Sequence, residues 1–419
     1  MPRMVSVRPL RICIVTTANV SDNPRVVKEA DALAAAGHDV RVVAHRTSDA
    51  KAHSDAQLMQ GRAWRLEEVA VTPPMLSRVR WGLATLRQRS ARVVAASVPV
   101  PAIGRDLAIS KHIYRLAAAA ARSPADIVIA HHVPALPAAA RAARKFGAAL
   151  VYDFEDYYSG GPADDRAGRH ERELILAIER KYIPLARLVT ASADGVADLV
   201  ARDYRVTTPT VIPNTFPLAA ADRPTATVDR RAKDRVSCYW FSQVIGPERG
   251  LEAGLRGIAA AGVPVEIHLR GMLSDGFEAT LRRELSGNDA VSLHLHPPAP
   301  AGELVAISAQ HDIGLALEST LTDYRRHSIS NKLLTYFPAA NAILASDTPA
   351  QIAVLRDAPG CGSVVNTSDA HAVGAVVREY VASPGRLAAA RAASRAAAER
   401  RYCWELDAPR LVAAIESVA

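Results

Sequence analysis

The chain has 419 residues, long enough for two domains of ordinary size, and its 49% hydrophobic content supports sizeable cores. The net charge of +8 is unevenly placed: residues 62–122 hold eleven Arg or Lys against Glu67, Glu68 and Asp106, which accounts for the whole excess. No apolar run approaches membrane-spanning length, no leader-like segment precedes the first strand, and Cys13, Cys238, Cys361 and Cys403 lack disulfide-framework or zinc spacing, so a cytoplasmic protein with reduced core thiols is expected.

In chain order, residues 11–17 read as a buried strand, 18–24 as a polar turn, 25–36 as a helix stopped by Gly37, and 39–44 as a second strand. The basic segment follows, and residues 75–83 within it mix cations with apolar side chains. That mixture suits an anionic membrane surface or an anionic acceptor, while a solvated basic helix pair is the plainer alternative. Nucleic acid is disfavoured, because no aromatic-interleaved basic patch accompanies the charge. Strands at 126–130, 149–152, 187–191 and 210–212 then alternate with helices at 135–146, 171–185 and 194–203. This is the pattern of a doubly wound α/β domain. Residues 217–234 are rich in Pro, Ala and charge and mark a linker.

The second half repeats the scheme, with strands at 236–241, 265–270 and 291–295 and helices at 251–261 and 301–309. Its most informative stretch is 312–349, where an apolar strand, a polar loop, a helix over 331–337 and a second apolar strand form one unit. Ser328 or Ser330 can cap that helix, and its free N–H groups, with Asn331 and Lys332, are suited to a phosphate. An ordinary βαβ unit with a solvated lysine is the alternative. The expected architecture is α/β, two Rossmann-like doubly wound domains facing each other across a cleft. Residues 1–216 form the first, 235–385 the second, and 386–419 a helical tail, interrupted near 407–409, that crosses back to the first.

Several motifs, in order, resemble those of GT-B glycosyltransferases of the family 4 type. Asn23-Pro24-Arg25 with Glu29 and Gly37-His38-Asp39-Val40 is similar to that group's first strand–helix unit, and Asp126 through His131-His132 to its histidine loop. Val151-Tyr152-Asp153, Val211-Ile212-Pro213-Asn214, Gly246-x-x-Arg249-Gly250, Leu269-Arg270-Gly271, Asn331-Lys332-Leu333 and Ala345-Ser346-Asp347-x-Pro349 match further along. The resemblance implies transfer of a sugar from a nucleotide diphosphate sugar to an acceptor hydroxyl, usually with retention and without an obligatory metal or other cofactor. The acceptor is then an envelope glycan, a glycolipid or a small metabolite.

On that resemblance Arg249 and Lys332 would stabilise the leaving diphosphate, the first through a planar fork and the second as a compact charge. His131 would lie near the transferred sugar, with a satisfied structural histidine as the alternative. Gly246, Gly250, Arg270, Glu318, Ser330, Asn331, Leu333 and Thr335 would surround the donor. Asp22, Arg25 and Asp153 would stand on the acceptor side, unless Arg25 merely pairs with Glu29. Two departures stand out. A Glu-x7-Glu pair of the family corresponds here to His327 and Thr335, leaving Glu318 as a substitute for the ribose contact. Glu155 stands where relatives often carry histidine. The Asp153, Glu155 and Asp156 oxygens leave open a metal–diphosphate site, and the missing acidic pair leaves open a catalytically silent sugar-nucleotide-binding partner.

Overall fold

The computed structural model describes residues 8–71, 85–92, 102–225, 227, 235–318 and 322–419. They form two compact units, Met1–Ile212 with Ala408–Ala419, and Pro213–Asp407. The division thus falls ahead of the expected linker, and residues 386–407 stay with the second unit. Residues 75–83, the expected membrane-facing stretch, and 228–234 of the expected linker lie outside the described residues. Among the described residues no helix is long and apolar enough to cross a membrane, and all four cysteines are buried and free.

The first unit is built on seven parallel strands: β1 (Arg11–Val15), β2 (Asp39–Arg46), β3 (Arg65–Ala70), β4 (Ile127–His131), β5 (Ala149–Phe154), β6 (Leu188–Ala191) and β7 (Thr210–Val211). They lie in the order β3-β2-β1-β4-β5-β6-β7, with Ile14 in register between Val42 and Ile129. Strands β4 and β5 are buried along their whole length, which explains their unbroken apolar character. The order reverses at β1 and β4, so the connections leaving those strands run to opposite sides and open a crevice at their carboxyl ends. The helix Pro24–Ala35 starts there. Pro24 pre-sets its first turn, and the Asn23 side chain accepts a hydrogen bond from the Val26 N–H.

The second unit carries β8 (Val236–Ile245), β9 (Val265–Leu273), β10 (Val291–His296), β11 (Ile313–Ala316), β12 (Ala342–Ser346) and β13 (Gly362–Val365), ordered β10-β9-β8-β11-β12-β13 and all parallel. Its crevice therefore opens at the ends of β8 and β11. Successive residues of β8 feed opposite faces: Trp240 joins Leu255, Leu315 and Leu344, while Tyr239 joins Leu333, Tyr336 and Ile343. Gly314 in β11 is required by packing, since a Cβ there would lie 2.3 Å from the Tyr336 ring. The Tyr336 hydroxyl in turn lies 3.0 Å from the Tyr239 carbonyl oxygen and 3.2 Å from that of Leu315. This contact seats the helix Asn331–Tyr336 directly on the sheet.

The tail differs from expectation. Helices Pro384–Arg400 and Trp404–Glu416 break at 401–403, and Pro409 lies inside the second. It sits little more than one turn from the start, where a missing N–H removes a single intrahelical bond.

Candidate active site

In the first unit the crevice end of the sheet holds a buried ionic network. Arg25, opening its helix, donates from Nε and Nη2 to both Asp153 oxygens at 2.6 and 2.7 Å and from Nη1 to the Ile212 carbonyl at 2.7 Å. The Thr190 hydroxyl adds a 2.5 Å hydrogen bond to Asp153. His131 is the register partner of Asp153 across β4 and β5. Its Nε2 lies 2.5 Å from Glu29, and its Nδ1 lies 2.8 Å from Glu155 and 3.3 Å from Asp153. The Asn23 side chain donates to Glu155 at 2.9 Å.

Burial alone would push the His131 imidazole down, but Glu29, Glu155 and Asp153 overcome it and raise it to about 10. Burial likewise works against the ionised carboxylates, yet Arg25 holds Asp153 low and His131 with His132 holds Glu155 well below its ordinary value. At neutral pH the network therefore sets the Arg25 and His131 cations against the Asp153 and Glu155 carboxylates, with Glu29 placed against His131 Nε2.

This geometry corrects three expectations. His131 is 0% exposed, with its two ring nitrogens engaged by Glu29 and Glu155 rather than presented to a sugar. Arg25 and Asp153 are buried and saturate each other, and the partner of Arg25 is Asp153 rather than Glu29. Asp22 is accessible but paired with Lys51. The imidazole presented at the surface is His132, 24% exposed, at 3.6 Å from Glu155 and within 3.5 Å of the Thr16 and Thr17 hydroxyls. A left-handed φ of 69° at His132 turns it away from the strand direction. Nothing in the dipeptide His131-His132 announces that backbone; of the two readings of His131, its contacts match the satisfied structural histidine.

In the second unit the connections leaving β8 and β11 meet. Gly250 has φ 74°, and a Cβ on it would lie 3.3 Å from the Glu318 carbonyl, so glycine is required both for the turn and for the approach. The Arg325 guanidinium donates to the Glu248 carbonyl across the same junction. At Gly246 a Cβ would come within 2.7 Å of the Ser274 hydroxyl. Arg249 is half-buried in this turn and, among the described residues, makes no ion pair.

Lys332 is only 8% exposed, with its ammonium 2.5 Å from Glu318 Oε1 and 5.3 Å from the centre of the Trp240 ring. Burial would raise the Glu318 carboxyl, but Lys332, Ser330 and Arg325 hold it below its ordinary value. Ser330 occupies the cap position of the helix Asn331–Tyr336 without capping it, and its hydroxyl donates to Glu318 at 2.8 Å. The first-turn N–H groups are left without a Ser330 acceptor, and Asn331 is exposed beside them, its Oδ1 accepting from Asn214 at 2.9 Å. Cation, N–H dipoles and a conformationally free glycine thus converge at one switch point.

Three expected donor contacts are not brought to this point. Thr335 is 0% exposed and donates to the Asn331 carbonyl of its own helix at 2.8 Å. Leu333 faces the core at 0% exposure, which leaves only its backbone for a ligand. Arg270 is 2% exposed, its guanidinium held by the Tyr239 hydroxyl at 3.1 Å and the Pro297 carbonyl at 2.7 Å.

Residues 23–215 match the family model described as Glycosyl transferase 4-like domain. Comparison with curated proteins finds no match by sequence. Solved structures of the same fold include HepE of Anabaena in complex with UDP and glucose, at 13% identity and TM-score 0.63, covering 97% of this chain and 100% of that one. Sucrose-phosphate synthase of Thermosynechococcus elongatus aligns at 12% identity and TM-score 0.66 over 96% and 97% of the two chains. A UDP-forming trehalose-phosphate synthase of Burkholderia xenovorans aligns at 14% identity and TM-score 0.64 over 98% and 99%. These likenesses establish the two-sheet architecture over nearly the whole chain.

Proposed function

Because this chain is a glycosyltransferase of the GT-B fold, we propose that it moves a sugar from a nucleoside diphosphate sugar to an acceptor hydroxyl, with the second unit taking the donor. The observation that carries this reading is the junction of Gly250, Glu318 and Lys332 at the ends of β8 and β11, beside a helix start that its cap serine does not close. UDP or UDP-glucose occupies the HepE complexes of the same fold, which supports a donor of that class.

Negative charge gathers on the diphosphate as the glycosidic bond breaks, and preorganised cations and N–H dipoles in a site of low dielectric lower that barrier. Lys332 supplies a compact charge steadied by Glu318, and Arg249 a planar fork that can take two phosphate oxygens. The exposed Asn331 orients the distal phosphate. Glu318, at the strand end, takes the ribose contact that the family gives to an acidic residue of its pair. On the acceptor unit His132 replaces His131 as the accessible group. Retention, independence from a metal, and a location at the inner membrane face through the basic segment 62–122 follow the family resemblance and the charge. The acceptor class is a glycan, a glycolipid or a small molecule.

One observation favours a metal-dependent reading: ligand atoms of His131, Asp153 and Glu155 lie within 4.8 Å of one another. Those oxygens already face the Arg25 guanidinium and the His131 imidazolium, which supply the countercharge a divalent ion would bring. Full transfer in excess EDTA excludes that reading. The donor assignment is tested by thermal shift against a panel of nucleotide sugars, since a ligand bound to the folded state alone raises its melting temperature. A shift with one nucleotide family is expected; a flat panel, with inorganic phosphate equally inert, would overturn it.

A further inference from the structure

A second group of ligating side chains lies on the edge of the second unit's sheet and has no part in the transfer described above. Glu266 and His268 alternate along β9 and so share a face, and His268 stands in register opposite His294 of the edge strand β10. The His268 and His294 rings stack with centroids 4.6 Å apart and planes 19° apart. Glu266 places one oxygen 3.6 Å from His268 Nε2 and the other 3.6 Å from His294 Nε2, and the ligand atoms of all three residues lie within 4.8 Å of one another.

We propose that Glu266, His268 and His294 form a binding site for one divalent transition-metal ion of the zinc type. The separations are the first reason. At 3.6 Å these atoms are too far apart for a hydrogen bond, whereas two ligands at the usual zinc distances subtend a tetrahedral edge of about 3.4 Å. Chemistry is the second, because two imidazole nitrogens and one carboxylate are a zinc donor set that leaves a position for water.

The surroundings complete the case. His268 Nδ1 lies 3.0 Å from His296 Nε2, and donation from that Nδ1–H would leave the lone pair on Nε2, the nitrogen 3.6 Å from Glu266, the kind of outer contact that fixes a metal-binding tautomer. His294 Nε2 is buried and has no hydrogen-bond partner among the described residues. His294, with its side chain 39% exposed on the edge strand, gives the ion a way in.

The test uses untagged full-length protein freed of metal by chelator and dialysis, titrated with Zn²⁺ by calorimetry and with Co²⁺ by visible absorption. One ion per chain is expected, with the strong visible bands of low-coordinate Co²⁺. Glu266→Gln and the accessible His294→Ala should each weaken it by about tenfold or more, while nucleotide-sugar binding stays as in the wild type. A Glu155→Gln variant should bind the ion unchanged, because it alters only the other ligand cluster. No stoichiometric binding would overturn the proposal. So would binding that survives both Glu266→Gln and His294→Ala, or binding lost only in Glu155→Gln.

Discussion

The chemistry at the end of β4 turns on one buried imidazole that the chain never exposes. His131 is raised to about 10 in the fold, against 6.5 for the ordinary group. A raised pKa means the folded state holds the proton more tightly, so its stabilisation is full below about pH 6.5 and is lost as pH climbs through about 10. Glu155, held low, works in the opposite direction and loses its contribution as pH falls below the ordinary carboxylate range. His131→Gln should therefore cost about 3–5 kcal/mol at pH 7, because Glu29 and Glu155 keep their burial and lose their cation. Denaturant titrations at pH 7 and pH 10.5 read this: the gap from wild type should narrow at the higher pH, and an equal gap at both would show that packing alone is responsible. Thr335 gives a second residue-scale expectation. Its hydroxyl serves its own helix, so Thr335→Val should cost about 1 kcal/mol and leave donor affinity unchanged, whereas a ribose contact would show as weakened nucleotide binding in the same calorimetric titration. Partners such as Glu29 and Glu155 lie 102 and 24 residues from His131, and no local pattern links them in the sequence.

Among the elements, the apolar runs that became β4, β5, β11 and β12 were readable because strands buried on both faces carry no polar interruption. The edge strand β3, Arg-Leu-Glu-Glu-Val-Ala, and the helix Asp49–Leu58 passed unread, since charged side chains at a sheet edge and a weakly amphipathic helix leave no clear period. The helix Pro349–Asp357 and strand β13 were missed as well, the strand being only four residues and opening on Gly362. The helix carrying Lys332 was legible in its bounds. What the sequence hid was its seating, which depends on Gly314 lying under the Tyr336 ring. Gly314→Ala should lift that helix, lower stability by about 1–3 kcal/mol and weaken donor binding together. A melting curve with nucleotide titration checks it, and a variant with wild-type affinity would show that the helix is held elsewhere.

For the molecule as a whole, the division at Ile212 and Pro213 gives each sheet its own core, so unfolding need not be a single cooperative event. Scanning calorimetry should resolve two transitions, and a nucleoside diphosphate should raise one of them, by an amount that grows with the logarithm of ligand concentration. If both moved equally, donor binding could not be assigned to the second unit alone. The two-domain plan was visible in the repeated strand–helix pattern, but the return of Ala408–Ala419 to the first unit depends on packing that follows Pro409 inside a continuous helix. The central claim is that Lys332 and its neighbours carry the leaving diphosphate, and the most direct measurement is release of nucleoside diphosphate from a panel of nucleotide sugars. Wild-type protein should turn over at least one donor in the presence of acceptor, and Lys332→Ala should lose about 100-fold in rate with its circular dichroism unchanged. Undiminished turnover by a folded Lys332→Ala variant, or no turnover of any nucleotide sugar by the wild type, would contradict it.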